Sequence, residues 1–249
     1  MTTRGCGGSE IKPIKRQPFI VLIEHDPWLP VLESDSPTFA LYDDGLVIFR
    51  RHGKKGGNDY GSILLDRKQR DRLLSSLPLG KDFQALSDDE VSDCTDQPTN
   101  VLWVWLAHQV KRVSVYGDLR NDGEARSKTP RTFLRLFDEL IGYDNEAAIP
   151  WVPEKVEVLI WPYGYSPAEP LLWPTGWPDT VHPETKKRGD GFSLFLGASY
   201  LQDLKGLLRQ LGQNQAVLIN GKKWAISYRF PFPNEPLWME PSVPETEGE

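Results

Sequence analysis

One short segment resembles the nucleophile elbow of a serine hydrolase. Residues 164–168 are Gly-Tyr-Ser-Pro-Ala and follow a predicted strand, whereas the motif is Gly-x-Ser-x-Gly. The motif needs a helix directly after the serine, and Pro167 and Pro170 disfavour a helix at this place. The base would have to be His182, the one histidine downstream. We therefore expect Ser166 to have a structural role.

Metal-ligating residue types are present without metal-ligating spacing. Carboxylates are concentrated in residues 88–96, but the spacing, glycine and glutamate of an EF-hand are missing, so we expect a solvated loop. Cys94 lies among these carboxylates, which disfavour its thiolate. The four histidines lie far apart in the sequence: His25, His52, His108 and His182. The sequence predicts no catalytic residue, no metal site and no cofactor.

Aromatic residues and prolines are concentrated in residues 150–183, which contain eight of the 21 prolines and four of the nine tryptophans. Aromatic rings on loops stiffened by proline can form a platform for sugars, peptides or a partner protein. Alternatively, the rings pack against the prolines and hold a long loop to the domain. We expect Trp161 and Trp224 to belong to the core. The candidate binding residues are Trp173, Trp177, Tyr163 and Tyr165.

Two hairpins are predicted from turn dipeptides between β-rich segments. Asp44-Gly45 separates residues 38–42 from 46–50, and Asn220-Gly221 separates residues 215–219 from 222–230. Both dipeptides favour the positive φ angles that tight hairpin turns require. Further strands are predicted at 60–65, 101–106, 110–116, 155–161 and 192–196. The strand at 101–106 is apolar on both faces, which is typical of a central strand.

Three helices are predicted from leucine-rich or aromatic stripes with capping residues before them. The first begins after Asp66, with Gln69 completing a capping box. The second begins at Thr129-Pro130 and ends at Gly142. The third has Ser199 and Gln202 as its capping box. Hairpins with interspersed helices predict an α+β fold with a mostly antiparallel sheet and helices packed on one side. The alternative is a division into two subdomains of similar size.

The charge and proline distributions predict four segments. Residues 1–16 carry four basic side chains and one acidic side chain, and we expect a flexible basic arm. An N-terminal α+β domain is predicted for 17–150, and a C-terminal α+β domain with the Trp/Pro-rich loop for 151–240. Residues 241–249 are predicted to form an acidic tail with little apolar area to bury.

The composition is that of a folded protein. The chain has 249 residues, 39% hydrophobic and 26% charged, with a formal net charge of −6. No apolar segment reaches the roughly 18 residues that span a bilayer, and no secretory signal is recognisable, so we expect a cytoplasmic protein without a membrane partner. The acidic balance argues against nucleic acid as the main partner.

The first hairpin resembles the opening of an uncharacterised bacterial domain family, a domain of unknown function. The family has a Cys-Pro-x-aromatic-x-Leu strand, an Asp-Gly turn, a leucine-bearing helix and an Asp-x-Pro-Thr motif. In this sequence residues 36–45 match its first part, residues 73–77 supply the leucines, and residues 96–99 match the last motif. Ser36 stands where the family often has cysteine. The resemblance covers about residues 36–141, implies a small β-rich module and assigns no catalytic residue.

These observations favour a non-enzymatic cytoplasmic binding protein. A concrete form is an immunity or antitoxin-type protein that engages a basic protein partner, because acidic surfaces steer association with basic ones. One alternative is a hydrolase whose site is assembled from Asp, Glu and His residues distant in sequence. Another is a carbohydrate-binding module that uses Trp173 and Trp177. A pocket with a His–carboxylate pair would favour the hydrolase, and a flat aromatic patch would favour binding.

Overall fold

A computed structural model of the chain describes residues 16–31, 34–51, 59–106 and 109–239. Within these ranges the chain forms two mostly antiparallel sheets and five α-helices, which confirms the predicted α+β class. The basic arm, apart from Arg16, and the whole acidic tail at 241–249 lie outside the described residues. In the described ranges, no helix combines the length and apolar character that a membrane-spanning helix needs.

The first sheet is built from the N-terminal part of the chain. Its strands are β1 (Pro18–His25), β2 (Phe39–Tyr42), β3 (Leu46–Arg50), β4 (Tyr60–Leu64), β5 (Asp89–Glu90), β6 (Thr99–Leu106), β7 (Gln109–Tyr116) and β8 (Ile149–Trp151). Their order is β5-β7-β6-β1-β2-β3-β4-β8, and within the described strands of this sheet only the β5–β7 pair is parallel. The prediction that β6 is a central strand is confirmed, because it pairs with both β1 and β7.

The second sheet is built from the C-terminal part. Its strands are β9 (Lys155–Pro162), β10 (Leu171–Leu172), β11 (Lys186–Arg188), β12 (Gly191–Gly197), β13 (Val217–Ile219) and β14 (Lys222–Arg229). Their order is β10-β13-β14-β9-β12-β11. The predicted division between residues 150 and 151 falls inside β8, the last strand of the first sheet.

Both predicted hairpin turns are confirmed. Asn220 and Gly221, between β13 and β14, have φ angles of 50° and 75°, and Gly45, between β2 and β3, has a φ of 89°. A Cβ atom at Gly45 would also lie 2.5 Å from the carbonyl oxygen of Leu65. A side chain at position 45 is therefore excluded both by the backbone conformation and by the space.

The α-helices occupy two places in the fold. They are α1 (Arg67–Ser76), α2 (Lys81–Gln84), α3 (Gly123–Lys128), α4 (Arg131–Ile141) and α5 (Leu201–Gln210). Apolar residues of the first four pack against one face of the first sheet. Helix α5 instead packs in the apolar cluster that includes the second sheet.

Two apolar clusters use the two faces of the first sheet. On β1, Ile20 and Leu22 belong to the cluster under α1–α4, whereas Val21 and Ile23 belong to the other cluster, which we call the inter-sheet cluster. Successive side chains of a strand point to opposite faces, so one continuous apolar strand supplies both clusters. The inter-sheet cluster also contains residues of β9, β12, β14 and α5. It joins the two sheets through shared apolar burial.

The three predicted helices are confirmed, but two of their three predicted caps are wrong. The capping box of Asp66 and Gln69 is confirmed, with Gln69 N donating to Asp66 Oδ1 at 2.8 Å. Thr129 does not cap α4, because its hydroxyl donates to the carbonyl oxygen of Ala125 and so completes α3 instead. Ser199 does not cap α5 either, because a 3₁₀ turn at Ala198–Tyr200 precedes that helix.

Candidate functional site

A half-open cleft of about 520 Å³ lies at one end of the first sheet. Strands β1 and β3 finish there and β6 begins there, so polar residues at the strand ends line the cleft. Residues 226–228 of β14 and Leu208 of α5 also line it. The cleft is therefore bounded by both sheets and by α5, and its volume falls in the range of small-ligand sites.

His25 and Asp35 form a hydrogen-bonded pair in the cleft. His25 Nδ1 lies 3.2 Å from Asp35 Oδ2, and the other carboxylate oxygen accepts the backbone N–H of Asp26 at 3.2 Å. The Asp35 side chain is only 9% exposed, whereas that of His25 is 45% exposed. Because an ionised carboxylate only accepts hydrogen bonds, it fixes the proton on Nδ1 and leaves Nε2 as the basic nitrogen.

Glu24 and Arg120 form a second pair beside it. Arg120 Nε donates to Glu24 Oε2 at 2.5 Å, and Arg120 Nη2 donates to Oε1 at 2.8 Å. The hydroxyl of Thr38 donates to Oε1 as well. Burial acts to raise the pKa of Glu24, but the hydrogen bonds and charge of Arg120, with the Thr38 hydroxyl, hold it below its ordinary value. Glu24 is therefore an ionised group whose oxygens are already used by the protein.

Arg50, the last residue of β3, extends into the same cleft. Its guanidinium carbon lies 6.0 Å from the centre of the Tyr60 ring, and its Nη2 is 3.5 Å from the Tyr60 hydroxyl. Its Nε is buried without a hydrogen-bond partner among the described residues. Arg50 also forms no ion pair with a carboxylate in the described part of the chain. Within the described ranges, the Tyr60 hydroxyl is the one hydrogen-bond acceptor of this cation.

Asp118 and Asn100 supply further polar atoms to the lining. Asp118 Oδ1 accepts the backbone N–H groups of Arg120 at 2.9 Å and of Asn121 at 3.0 Å. Burial acts against ionisation of Asp118, but these donors and the Asn121 side chain hold its pKa below its ordinary value. Asn100 is 1% exposed, and its Nδ2 donates to two backbone carbonyls at 2.9 and 3.1 Å. Its Oδ1 is therefore the polar atom that it can present to the cleft.

The lining carries an excess of negative charge. Among the described residues, the carboxylates of Glu24, Asp26, Asp35 and Asp118 and the guanidiniums of Arg50 and Arg120 line the cleft. Four carboxylates and two guanidiniums give the lining a formal charge of −2 while His25 is neutral. Low-dielectric walls strengthen the field of such a cleft, which favours a cationic group.

A second cavity of about 320 Å³ adjoins the first and shares His25 and Asp35 with it. Its other described lining residues are mostly apolar and include Trp103 and Trp238, with Arg229 among the polar residues. His25 and Asp35 thus lie between a charged cleft and an apolar cavity. No three His, Cys, Asp or Glu side chains in the described ranges are arranged to hold a metal ion.

The rings of Trp173 and Trp177 pack on the protein. Both are partly buried against the inter-sheet cluster, and their centres are 5.1 Å apart at an interplanar angle of 87°. Trp177 also contacts the ring of Tyr200, and Trp173 Nε1 donates to the carbonyl oxygen of Pro178 at 3.1 Å. These contacts hold the loop to the domain, as the alternative interpretation of the Trp/Pro segment predicts. A binding role for the two rings stays a prediction.

Tyr163 and Tyr165 lie together at another part of the surface. Their rings are 4.9 Å apart, Tyr165 is 84% exposed, and the backbone N–H of Tyr163 donates to the carbonyl oxygen of Lys223 at 3.0 Å. Neither these tyrosines nor Trp173 and Trp177, all of them described, line the 520 Å³ cleft. The polar cleft therefore lies elsewhere than the predicted binding residues.

The expected core position of Trp161 is wrong, whereas that of Trp224 is confirmed. Trp224 is 5% exposed and Trp161 is 50% exposed. On β9, Val158 and Ile160 face the inter-sheet cluster, so the alternation of the strand places Trp161 on the opposite face. Among the described tryptophans the most exposed is Trp28, at 73%, in the loop between two cleft-lining residues, Asp26 and Leu29.

Ser166 has the structural role expected for it. Its hydroxyl donates to the carbonyl oxygen of Asn214 at 2.8 Å and accepts the backbone N–H of Ala216 at 3.1 Å. The residue is 4% exposed. Its oxygen therefore closes a buried loop contact and does not face a substrate site.

The sequence patterns do not predict β1, and for that reason they do not predict the cleft at its end. The signal was present: Glu24, His25 and Asp26 follow directly after the apolar segment 19–23. Three ionisable residues in succession at the end of a buried strand indicate a polar site there, since loops at strand ends often carry binding residues. Asp35 and Arg50, by contrast, are brought to His25 by pairing of β1, β2 and β3, which the spacing in sequence does not show.

Comparison with protein-family models, with curated proteins and with solved structures gave no match. The resemblance of residues 36–141 to a bacterial domain of unknown function stays a prediction.

Proposed function

We propose that this chain is a non-enzymatic binding protein that engages a basic partner protein through the 520 Å³ cleft. The observation that carries the proposal is the excess of carboxylates over guanidiniums in the lining of a half-open cleft. One concrete form is a bacterial immunity or antitoxin-type protein that acts in the cytoplasm. The acidic net charge of −6 would steer such a partner toward it before contact.

Within the cleft, Asp26 and Asp118 are the carboxylates that form no ion pair with a described arginine or histidine side chain. Glu24 is paired with Arg120, and Asp35 is bonded to His25 and to the Asp26 backbone. The carboxylate of Asp26 accepts only the N–H of Trp28 among the bonds described, at 2.9 Å. A lysine or arginine side chain of the partner would therefore add new ion pairs without breaking the Glu24–Arg120 and His25–Asp35 pairs.

Trp28 supports the same surface. It is 73% exposed and follows Asp26 by two residues, so its ring can cover a partner segment whose side chain enters the cleft. Exposed tryptophans are among the commonest anchors of protein interfaces, because they bury a large apolar area at low entropic cost.

The test is titration with an acetylated, amidated hexa-arginine peptide, followed by calorimetry at two salt concentrations. The variant Asp26→Asn/Asp118→Asn keeps the shape of both side chains and removes two charges. We expect binding to weaken by at least about tenfold, which corresponds to about 1.4 kcal/mol. The matched control is Glu146→Gln/Asp190→Asn, which removes two exposed charges outside the cleft. Equal weakening in both double variants would mean non-specific attraction and would reject the cleft as the site.

The hydrolase alternative is favoured by one specific observation, the His25–Asp35 pair. A carboxylate that orients a histidine leaves Nε2 able to act as a general base toward water. This alternative predicts turnover of 4-nitrophenyl acetate or 4-nitrophenyl phosphate that His25→Ala abolishes and His182→Ala leaves unchanged. If neither substrate is turned over above the buffer rate, or if both variants behave alike, the pair has no hydrolytic role toward these probes.

A further inference from the structure

Arg50 has a combination of burial and missing partners that the fold alone does not explain. The guanidinium carries five N–H donors, and its one hydrogen bond among the described residues is the long contact of 3.5 Å to the Tyr60 hydroxyl. Its Nε is shielded from solvent without an acceptor within the described ranges. A buried N–H donor in this state is costly, because buried polar groups are ordinarily hydrogen-bonded.

The other cleft arginine is paired with a carboxylate. Arg120 makes two hydrogen bonds to Glu24, and Glu24 uses both oxygens for Arg120 and one of them for Thr38 as well. Glu24 is therefore committed to Arg120 and does not pair with Arg50. Of the two guanidiniums that line the described part of the cleft, Arg50 is the one that has no carboxylate partner among the described residues.

The carboxylates near Arg50 do not take that place either. Asp35 has one oxygen on His25 and the other on the backbone of Asp26. An oxygen pair from outside the protein would supply what Arg50 lacks, and a carboxylate matches the planar fork of a guanidinium in two parallel hydrogen bonds.

We propose that Arg50 binds a carboxylate of the partner, so that the recognised segment carries a basic side chain and a carboxylate close together. This inference rests on the proposed function, in which the basic side chain meets Asp26 and Asp118. The carboxylate has two possible sources, the C-terminus of a chain that ends in lysine or arginine, and an aspartate or glutamate side chain next to a basic residue. A cleft of about 520 Å³ has room for both groups of one residue.

The probes are small and matched. Nα-acetyl-arginine carries the cation and the carboxylate, Nα-acetyl-argininamide carries the cation alone, and Nα-acetyl-norleucine carries the carboxylate alone. Binding is followed by amide chemical-shift changes during titration of the ¹⁵N-labelled full chain. We expect the acid to bind at least about tenfold more tightly than the amide. Arg50→Gln should lower the affinity for Nα-acetyl-arginine to that for Nα-acetyl-argininamide and leave the affinity for the amide unchanged.

A dipeptide, Nα-acetyl-Arg-Asp-amide, separates the two sources of the carboxylate. Its terminus is blocked, so a gain over Nα-acetyl-argininamide that Arg50→Gln removes assigns the site to an acidic side chain. If Nα-acetyl-arginine binds more tightly than Nα-acetyl-argininamide and the dipeptide does not, the site recognises a C-terminal basic residue. Equal affinity of acid, amide and dipeptide overturns this inference and leaves the basic-partner proposal in place. Failure of all the cationic probes to bind, with binding of Nα-acetyl-norleucine that depends on Arg50, overturns the basic-partner proposal and retains the Arg50 site.

Stability without ligand provides an independent readout. If Arg50 serves a ligand, Arg50→Gln should have a thermal midpoint equal to or above that of the parent, since a buried Nε–H without a described acceptor is removed. Arg50→Lys keeps the charge and loses the fork, so it should fold normally and keep only part of the preference for the acid over the amide. Arg209→Gln, an exposed position on α5, is the control. A midpoint several degrees lower in Arg50→Gln than in this control would assign Arg50 a structural role and overturn the inference.

Discussion

His25 and Asp35 are ten residues apart in the sequence and 3.2 Å apart in the structure, as Nδ1 and Oδ2. The contact forms because β1 ends at His25 and the chain returns as β2 beside it, after the loop that contains Asp35. The same carboxylate holds the backbone of Asp26, so it fixes both the histidine ring and the start of the loop that carries Trp28. One buried carboxylate thus organises the polar end of β1.

This arrangement predicts opposite tautomers for two histidines. Neutral His25 should carry its proton on Nδ1, because Asp35 only accepts. Neutral His182 should carry its proton on Nε2, because its Nδ1 accepts the backbone N–H of Glu184 at 3.3 Å. Nitrogen-15 shifts of the imidazole rings at neutral pH measure this directly. Asp35→Ala should release the preference at His25 and leave His182 unchanged. Finding the same tautomer at both residues in the parent protein would contradict the geometry.

The lowered pKa of Glu24 predicts that the free energy of unfolding falls in acid through this residue. Its folded-state pKa lies below its ordinary value, chiefly because Arg120 offsets the opposing effect of burial. Its contribution is therefore fully present above the ordinary carboxyl pKa and is lost as the pH falls through the lowered one. In urea titrations between pH 6 and pH 3, the free energy of unfolding of Glu24→Gln should decline less than that of the parent. Parallel curves would mean that the ion pair with Arg120 contributes nothing in the folded state.

Local chemistry in the sequence predicted the elements that depend on neighbouring residues. Asn220-Gly221 and Asp44-Gly45 specify their hairpins because the required φ angles are rare for other residues. The capping box at Asp66 was predictable for the same reason, since both partners lie within four residues. The capping rule is ambiguous where two helices follow one another closely. Thr129 is a residue type that can cap the start of α4, yet its hydroxyl completes α3.

The cleft depends on pairings that no local pattern encodes. Strand β1 is apolar on both faces because helices cover one face and the inter-sheet cluster covers the other, so it shows no alternation to detect. Trp161 differs from this case, because the strand that contains it is predicted correctly. The sequence does not show which face of that strand is covered by the first sheet, and Trp161 lies on the exposed face. Arg50 reaches the cleft only because β3 pairs with β2, which pairs with β1.

The buried ion group around Arg229 predicts a large single-site effect. Arg229 is 4% exposed and lies 2.6 Å from Glu157 Oε2 and 2.8 Å from Glu235 Oε1. Arg229→Met would take the ion-pair partner from Glu235 and the closer of two arginines from Glu157, whose contact with Arg188 is 3.7 Å. This change should cost about 3–5 kcal/mol of the free energy of unfolding. Arg209→Met, at an exposed position, should change it by less than about 0.5 kcal/mol.

The same variant should respond to pH in a defined direction. Burial raises the pKa of Glu235, and Arg229 opposes this effect. A group with a raised folded-state pKa stabilises the fold at low pH and loses that contribution as the pH rises through the raised value. Removing Arg229 raises the pKa further, so the deficit of Arg229→Met should be smaller at pH 5 than at pH 8. Adding Glu157→Gln and Glu235→Gln should recover much of the loss, and a deficit independent of both changes would show that lost packing is its cause.

Trp173 and Trp177 lie in a loop, outside any strand or helix, yet we expect their replacement to lower the stability of the fold. Each ring is partly buried, the two are 5.1 Å apart, and Trp177 also contacts Tyr200. Their double replacement by alanine removes apolar area from the inter-sheet cluster and a hydrogen bond to Pro178. Because full burial of such rings is worth about 3–5 kcal/mol each, replacing the partly buried pair should cost at least about 3 kcal/mol together.

The matched control is Trp28→Ala, which removes a ring that is 73% exposed and should leave the thermal midpoint unchanged. Acrylamide should quench the fluorescence removed by Trp28→Ala more strongly than the fluorescence removed by the double variant. An unchanged midpoint in the double variant, with quenching equal to that of Trp28, would show that the two rings are available at the surface for a partner.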